Sequence, residues 1–267
     1  MAKKDKVETG VAVAVPAYLQ GNGPVDLEDN FDSSDLIIPR IQLLQGMSDA
    51  VKEYGLPPGS FFHTGIEEVV PDMDFVIVAR QKRYMLVAPM EDGRGVLARA
   101  EDAKYWDVTG AWDVLLDKRT KRTTTWQIAD RNVEASGLTR WGTSDPDVQN
   151  SPPAATLFYD YVVSLISNPD WGLACVSLSR TALKAAKRLN SKIAMQAQIG
   201  RPMQALRFGA DVVEESNPFG SHYTWRFSNK GFVDNETYER MRELAVIIKG
   251  KTIKGDDPVD QDVQVPF

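Results

Sequence analysis

Apolar and polar positions alternate in ways that change along the chain. "DFVIVAR" (Asp74 to Arg80) and "RYMLVAPM" (Arg83 to Met90) are short, apolar and β-branched, and predict two strands. "ATLFYDYVVSLI" and "LACVSLS" repeat that signal on either side of "SNPDWG", a proline-containing turn, and predict a hairpin. A second hairpin is expected from "ALRFGADVVEES" and "SHYTWRFSN" around "NPFG". In "SHYTWRFSN" the alternation puts Tyr223, Trp225 and Phe227 on one face, which points to the core.

Between the two hairpins the period lengthens. "SRTALKAAKRLNSKIAMQAQ" predicts a helix with Ser179 or Thr181 as N-cap, stopped by Gly200 and Pro202. Leu183, Ala186, Leu189 and Ile193 fall on its buried face. A last amphipathic helix is expected over "NETYERMRELAVIIKG", capped by Asn235 and closed by Gly250. From Glu91 to Pro153 the chain is polar and turn-rich with isolated aromatics, which predicts a long insertion of short strands.

The order of strand, hairpin, helix and hairpin is that of an OB-fold, a small five-stranded barrel. The expected fold is therefore β-rich α+β: an OB-fold-like five-stranded barrel with an insertion at about 91–153. Its basic helix would stand between strands three and four, and a further helix would close the domain. Residues 1–35, rich in Gly, Pro, Asp and Asn, read as a disordered leader; 36–250 as the folded domain; and 251–267 as a disordered acidic tail.

Composition narrows the function. With 267 residues, 43% hydrophobic and 9% aromatic, there is ample material for a core. No apolar run approaches the ~18 residues of a membrane span. The expectation is a cytoplasmic protein with no membrane partner, and the host cytoplasm if the chain is phage-encoded. A single cysteine, Cys175, makes no internal disulfide, and two histidines, His63 and His222, are a poor start for a zinc site. No phosphate-loop, GxSxG, HExxH, CxxC or kinase signature occurs. Neither enzyme activity, cofactor nor metal is expected.

The net charge of −6 argues at first against nucleic acid. Its distribution reverses the inference, because the acids concentrate at both ends and the middle is close to neutral with basic clusters. Arg180, Lys184, Lys187, Arg188 and Lys192 recur at i, i+4, i+7, i+8 and i+12, along one helix face with no acid interrupting them. Such a row suits phosphates, although a solvated basic face paired to acids elsewhere would use the same residues.

Three further clusters join cations to aromatics: Lys118, Arg119, Lys121 and Arg122 before Trp126; Arg80, Lys82 and Arg83 before Tyr84; and Arg140 beside Trp141. Tyr159 and Tyr161 add candidate aromatics. Single strands are held by cations along the backbone and by rings on which bases stack. The pattern leads us to expect sequence-tolerant binding of single-stranded DNA.

The ending "DDPVDQDVQVPF" resembles the acidic C-terminal tip of bacterial and phage single-stranded DNA-binding proteins. The matching residues are Asp256, Asp257, Asp260, Asp262, Pro266 and Phe267. The resemblance implies that replication and recombination proteins capture Phe267 and its carboxylate, with the aspartates steering the encounter. "RTALKAAKRLN" followed by "GSHYTWRFSNKGFV" is similar to phage proteins of that class over roughly residues 150–250. The expected role is coating of single strands in phage replication, recombination and repair. A virion assembly protein and a strand-annealing mediator are the alternatives, and a homo-oligomer is compatible with either.

Overall fold

A computed structural model describes residues 38–217 and 220–249. The chain enters through β1 (Ile41–Leu43), the short α1 (Asp49–Glu53), β2 (Phe61–His63) and β3 (Glu68–Val69), whose strands form a small antiparallel sheet in the order β1-β2-β3. Then comes β4 (Asp74–Val87), a single strand of 14 residues where the sequence predicts two. The polar link "RQKR" belongs to the strand because β8 (Ala155–Leu165) pairs with it from Phe75 to Leu86. A bulge at Ile77/Ala79 bends β4 on the way. The strand serves two partners on its other edge: β10 (Leu206–Asn217) at Asp74–Val76 and β5 (Val96–Ala100) at Tyr84–Val87.

The remaining elements are the hairpin of β6 (Gly110–Asp117) and β7 (Arg122–Ile128), then β9 (Leu173–Ser179), α2 (Leu183–Ala197), β11 (Gly220–Phe232) and α3 (Asn235–Ile248). The main sheet runs β11-β10-β4-β8-β9, with β5 beside β4. Both predicted hairpins, β8–β9 and β10–β11, are present.

The fold is β-rich α+β built on antiparallel sheets, and the main sheet is open. Its edge strands β9 and β11 do not pair with each other, so the expected closed barrel is not formed. The reason lies in what meets those edges. On β9, the Cys175 N–H donates to the Pro39 carbonyl at 2.7 Å, within a parallel bridge between Arg40 and Cys175. On β11, the Gln45 side-chain amide takes both backbone groups of Tyr223, donating to its carbonyl at 3.0 Å and accepting from its N–H at 2.9 Å. Lys192 of α2 donates to the Phe227 carbonyl. Edge groups that would otherwise seek a strand are thus occupied by side chains and by the entering segment.

Three apolar clusters hold the fold. One face of the sheet, with Phe75, Ile77, Tyr161, Val176, Leu178, Phe208, Trp225 and Phe227, packs against Ala185, Ala186, Leu189 and Ile193 of α2. Trp225 and Phe227 are buried, as their alternation predicts. The opposite face, with Val76, Val78, Val162 and Cys175, is covered by α3 through Met241 and Leu244. The insertion builds its own core from Trp106, Val114, Trp126, Ile128 and Leu138, anchored on Leu86 and Ala155 of the flanking strands.

Two helix starts differ from expectation. Arg180–Ala182 form a 3-10 turn, and α2 begins after it without a side-chain cap, so neither Ser179 nor Thr181 caps it. In α3, Asp234 rather than Asn235 is the cap, accepting from the Thr237 N–H at 2.8 Å.

Candidate nucleic-acid interface

The register of β4 and β8 decides which of the predicted side chains share a surface. Arg80 lies opposite Tyr161, Lys82 opposite Tyr159 and Tyr84 opposite Leu157, so these pairs project from the α2 side of the sheet. Here the two apolar clusters of that side are separated, the α2-packed core on one hand and the insertion core beginning at Tyr84 and Leu86 on the other. The strip between them is polar. Arg80 and Lys82 are exposed, and Tyr84 and Tyr159 are half-buried.

Contacts tie the strip to both sides. The Arg80 guanidinium donates through Nη1 to Asn190 Oδ1 of α2 at 3.1 Å. The Lys82 ammonium stands 5.2 Å from the Tyr84 ring centroid, within cation–π range. Beneath them Tyr161 is buried, and its hydroxyl donates to the Ala186 carbonyl at 3.3 Å. Burial pushes that hydroxyl's pKa up, with the Arg80 charge pulling the other way, so it stays a neutral donor. Tyr161 is therefore a fixture of the core and not a stacking ring.

Helix α2 supplies the wall. Lys187 precedes Asn190 by three residues and shares its row, and Lys184 lies one turn earlier; both are exposed. Arg188 is exposed two residues from Asn190, toward the outer side of the helix. Lys192 is half-buried and spent on the Phe227 carbonyl. Arg180 lies before α2, exposed, with φ of 46° in the left-handed region.

Two expected contacts sit inside the protein. Arg83 points to the other face of the sheet, where its Nε donates to Asp160 and its guanidinium lies 4.9 Å from the Phe158 ring centroid. Asp160 also accepts from Ser177 Oγ, and both members of the Arg83–Asp160 pair are buried. Alternation within a continuous strand sends Arg83 away from Arg80 and Lys82. Trp126 is 3% exposed because it fills the insertion core, opposite Trp112 in the β6–β7 register.

The rest of the insertion's candidates lie on the β6–β7 turn and on the loop that follows Leu138. Lys118, Arg119 and Lys121 are exposed on the β6–β7 turn, and Arg122 makes a two-pronged pair with Asp145 at 2.9 and 2.6 Å. Arg140 is exposed, and Trp141 is 72% exposed. The tail residues Asp256, Asp257, Asp260, Asp262, Pro266 and Phe267 lie outside the described residues. Asn190 and Gln45 escaped the sequence analysis. The signal for Asn190 was its place as the uncharged polar residue three positions after Lys187, whereas nothing local marks Gln45, whose partner is 178 residues away.

Among the described residues no group of three or more His, Cys, Asp or Glu side chains is arranged to hold a metal ion. No described helix is long and apolar enough to cross a membrane. The molecule is thus a β-rich α+β protein whose sheet carries a cationic, tyrosine-bearing strip beside a basic helix. Residues 7–254 match the family model described as Pam3 phage gp34-like protein, and the chain belongs to that phage family. No curated protein and no solved structure matches it.

Proposed function

We propose that this phage protein binds single-stranded DNA without enzymatic activity, laying the strand along the strip between α2 and the insertion. The observation that carries this is the joining of sheet and helix by the Arg80–Asn190 hydrogen bond. It aligns Arg80 and Lys82 with Lys187 and Lys184, beside Tyr159 and Tyr84. Cations beside ring faces are what a flexible strand with unstacked bases requires. A duplex keeps its bases stacked and has no use for the rings.

The topology supports the same reading. Numbering β4, β8, β9, β10 and β11 as strands one to five, the sheet order is five-four-one-two-three, with a helix between strands three and four. We read this as the OB order, opened between strands three and five. The insertion then occupies the loop between strands one and two, one of the two loops that flank oligonucleotides in such folds. Coating of replication or recombination intermediates, with partners recruited through the acidic tail, is the role this proposes in the phage cycle.

Titration with oligo(dT) and with a duplex of equal length, at two salt concentrations and read by anisotropy, tests the proposal. Tight single-strand binding that weakens steeply with salt, with little duplex response, is expected. Absence of binding to either would overturn it and favour an assembly role within the particle.

A further inference from the structure

Trp141 is the most exposed large apolar side chain among the described residues, at 72%. Its loop is nonetheless tightly built. The Gly142 N–H donates to the Ser151 carbonyl at 2.7 Å, and the left-handed φ of 86° at Gly142 makes the turn. Thr143 Oγ1 donates to the Arg140 carbonyl at 2.7 Å and accepts from the Ala154 N–H at 3.0 Å. A large indole held out to solvent on a fixed loop is pre-positioned for a base to stack on.

Its surroundings state the chemistry. The Arg122–Asp145 pair fastens the β6–β7 turn to the segment that follows Trp141, bringing together two stretches about twenty residues apart in sequence. Asp145 is committed to Arg122, and Asp117 accepts from the Arg119 and Thr120 N–H groups of the turn. Asp147, 3.7 Å from Arg122, is the acid that faces outward. Lys118, Arg119, Lys121 and Arg140 outnumber it at the surface. An exposed ring and four exposed cations on two segments joined by the Arg122–Asp145 pair complement an anionic polymer with exposed bases.

This end lies beyond the Tyr84 end of the strip, on a loop rooted where the Ala155 N–H, opposite Leu86, donates to the Leu138 carbonyl at 2.9 Å. The β4–β5 turn follows Val87, and its Asp92 accepts from the Leu115 N–H at 2.7 Å; the basic turn begins three residues beyond Leu115. From Tyr84, where the strip ends, to Val87 the strand covers roughly 10 Å, at about 3.3 Å per residue, and the loops extend beyond it. We infer that the insertion's outer end is a second contact for the same single strand, so that the site is bipartite. The inference rests on the single-strand reading above.

The test compares a short oligo(dT) of about 4 nucleotides with a long one of about 16, the range covered by single OB modules. Affinities are measured for the intact protein and for the Trp141→Ala, Trp141→Phe and Arg80→Ala variants. Trp141→Ala is expected to weaken the long oligonucleotide roughly 5- to 150-fold, the loss of one base stack, and to leave the short one unchanged. Trp141→Phe restores most of the loss, and Arg80→Ala weakens both lengths. Equal weakening of both lengths by Trp141→Ala would overturn the bipartite arrangement, as would no effect on either. If the intact protein binds neither length, the single-strand reading itself fails.

Discussion

Arg80 and Arg83 stand three positions apart in "RQKRY", and the structure gives them opposite work. Arg80 projects to the exposed strip and is steadied by Asn190; Arg83 crosses to the far face and neutralises the buried Asp160. Substituting Arg80 or Lys82 by alanine is expected to leave the fold intact and weaken oligo(dT) binding. Each should reduce the slope of log affinity against log salt by about 0.7, the single-strand value for one lost phosphate contact; anisotropy across a salt series checks this. Arg83→Met is expected to act on stability instead. It strands a buried carboxylate, and breaking such a pair costs about 3–5 kcal/mol, to be measured by urea denaturation. The cluster was legible in the sequence as a set of cations, but its division was not. With strands expected separately over Asp74 to Arg80 and Arg83 to Met90, no single alternation ran through both. Trp126 was misplaced for the same reason, since an aromatic beside four cations gives no sign of the core that its own hairpin builds.

At the level of elements, periodicity served where a segment's partner is local. The β8–β9 and β10–β11 hairpins and α2 follow from apolar spacing and turn residues, and Leu189 and Ile193 are buried as their positions on the helix require. Leu189→Ala should therefore cost about 2–5 kcal/mol, as large-to-small changes in packed cores do; a chemical denaturation midpoint will show it. What escaped depends on distant partners. The continuity of β4 is imposed by β8, and the open seam depends on the Gln45 amide pairing with Tyr223 and on Lys192 reaching Phe227. Gln45→Ala is expected to bare both Tyr223 backbone groups and loosen the segment that covers β9. Cys175, whose N–H is bonded to that segment, reports the change. Burial holds its thiol at a pKa of about 12, so the native protein should resist thiol reagents. Faster labelling in Gln45→Ala than in the intact protein is the expected outcome, and equal rates would show that the amide does not secure the seam.

For the whole molecule, pH offers a test of how the small β1–β2–β3 sheet is joined to global stability. His63 is 1% exposed; its Nδ1 accepts from the Ile66 N–H at 3.1 Å, and its ring meets Trp171 edge-on at 5.4 Å between centroids. Burial lowers its pKa below the ordinary 6.5, so the folded protein keeps the ring neutral where the unfolded chain would protonate it. The unfolded state then binds more protons, and stability must fall as pH drops below 6.5, levelling once the folded pKa is passed. One proton sets the limiting slope at about 1.4 kcal/mol per pH unit. A separate window lies lower. Hydrogen bonds from Arg94, with help from the Leu115 N–H, depress Asp92 from 3.8 to about 2, so its contribution is complete above pH 3.8 and disappears as pH falls through about 2. Denaturation curves collected from pH 8 to pH 2 should therefore show two separated declines. His63→Phe is expected to remove the upper one and keep the lower, and Asp92→Asn to shrink the lower one, to which Asp102, Asp117 and Asp234, also held below 3.8, contribute. If the upper decline survives in His63→Phe, the proton is taken up elsewhere and the entry sheet is not coupled to the stability of the main sheet through this ring.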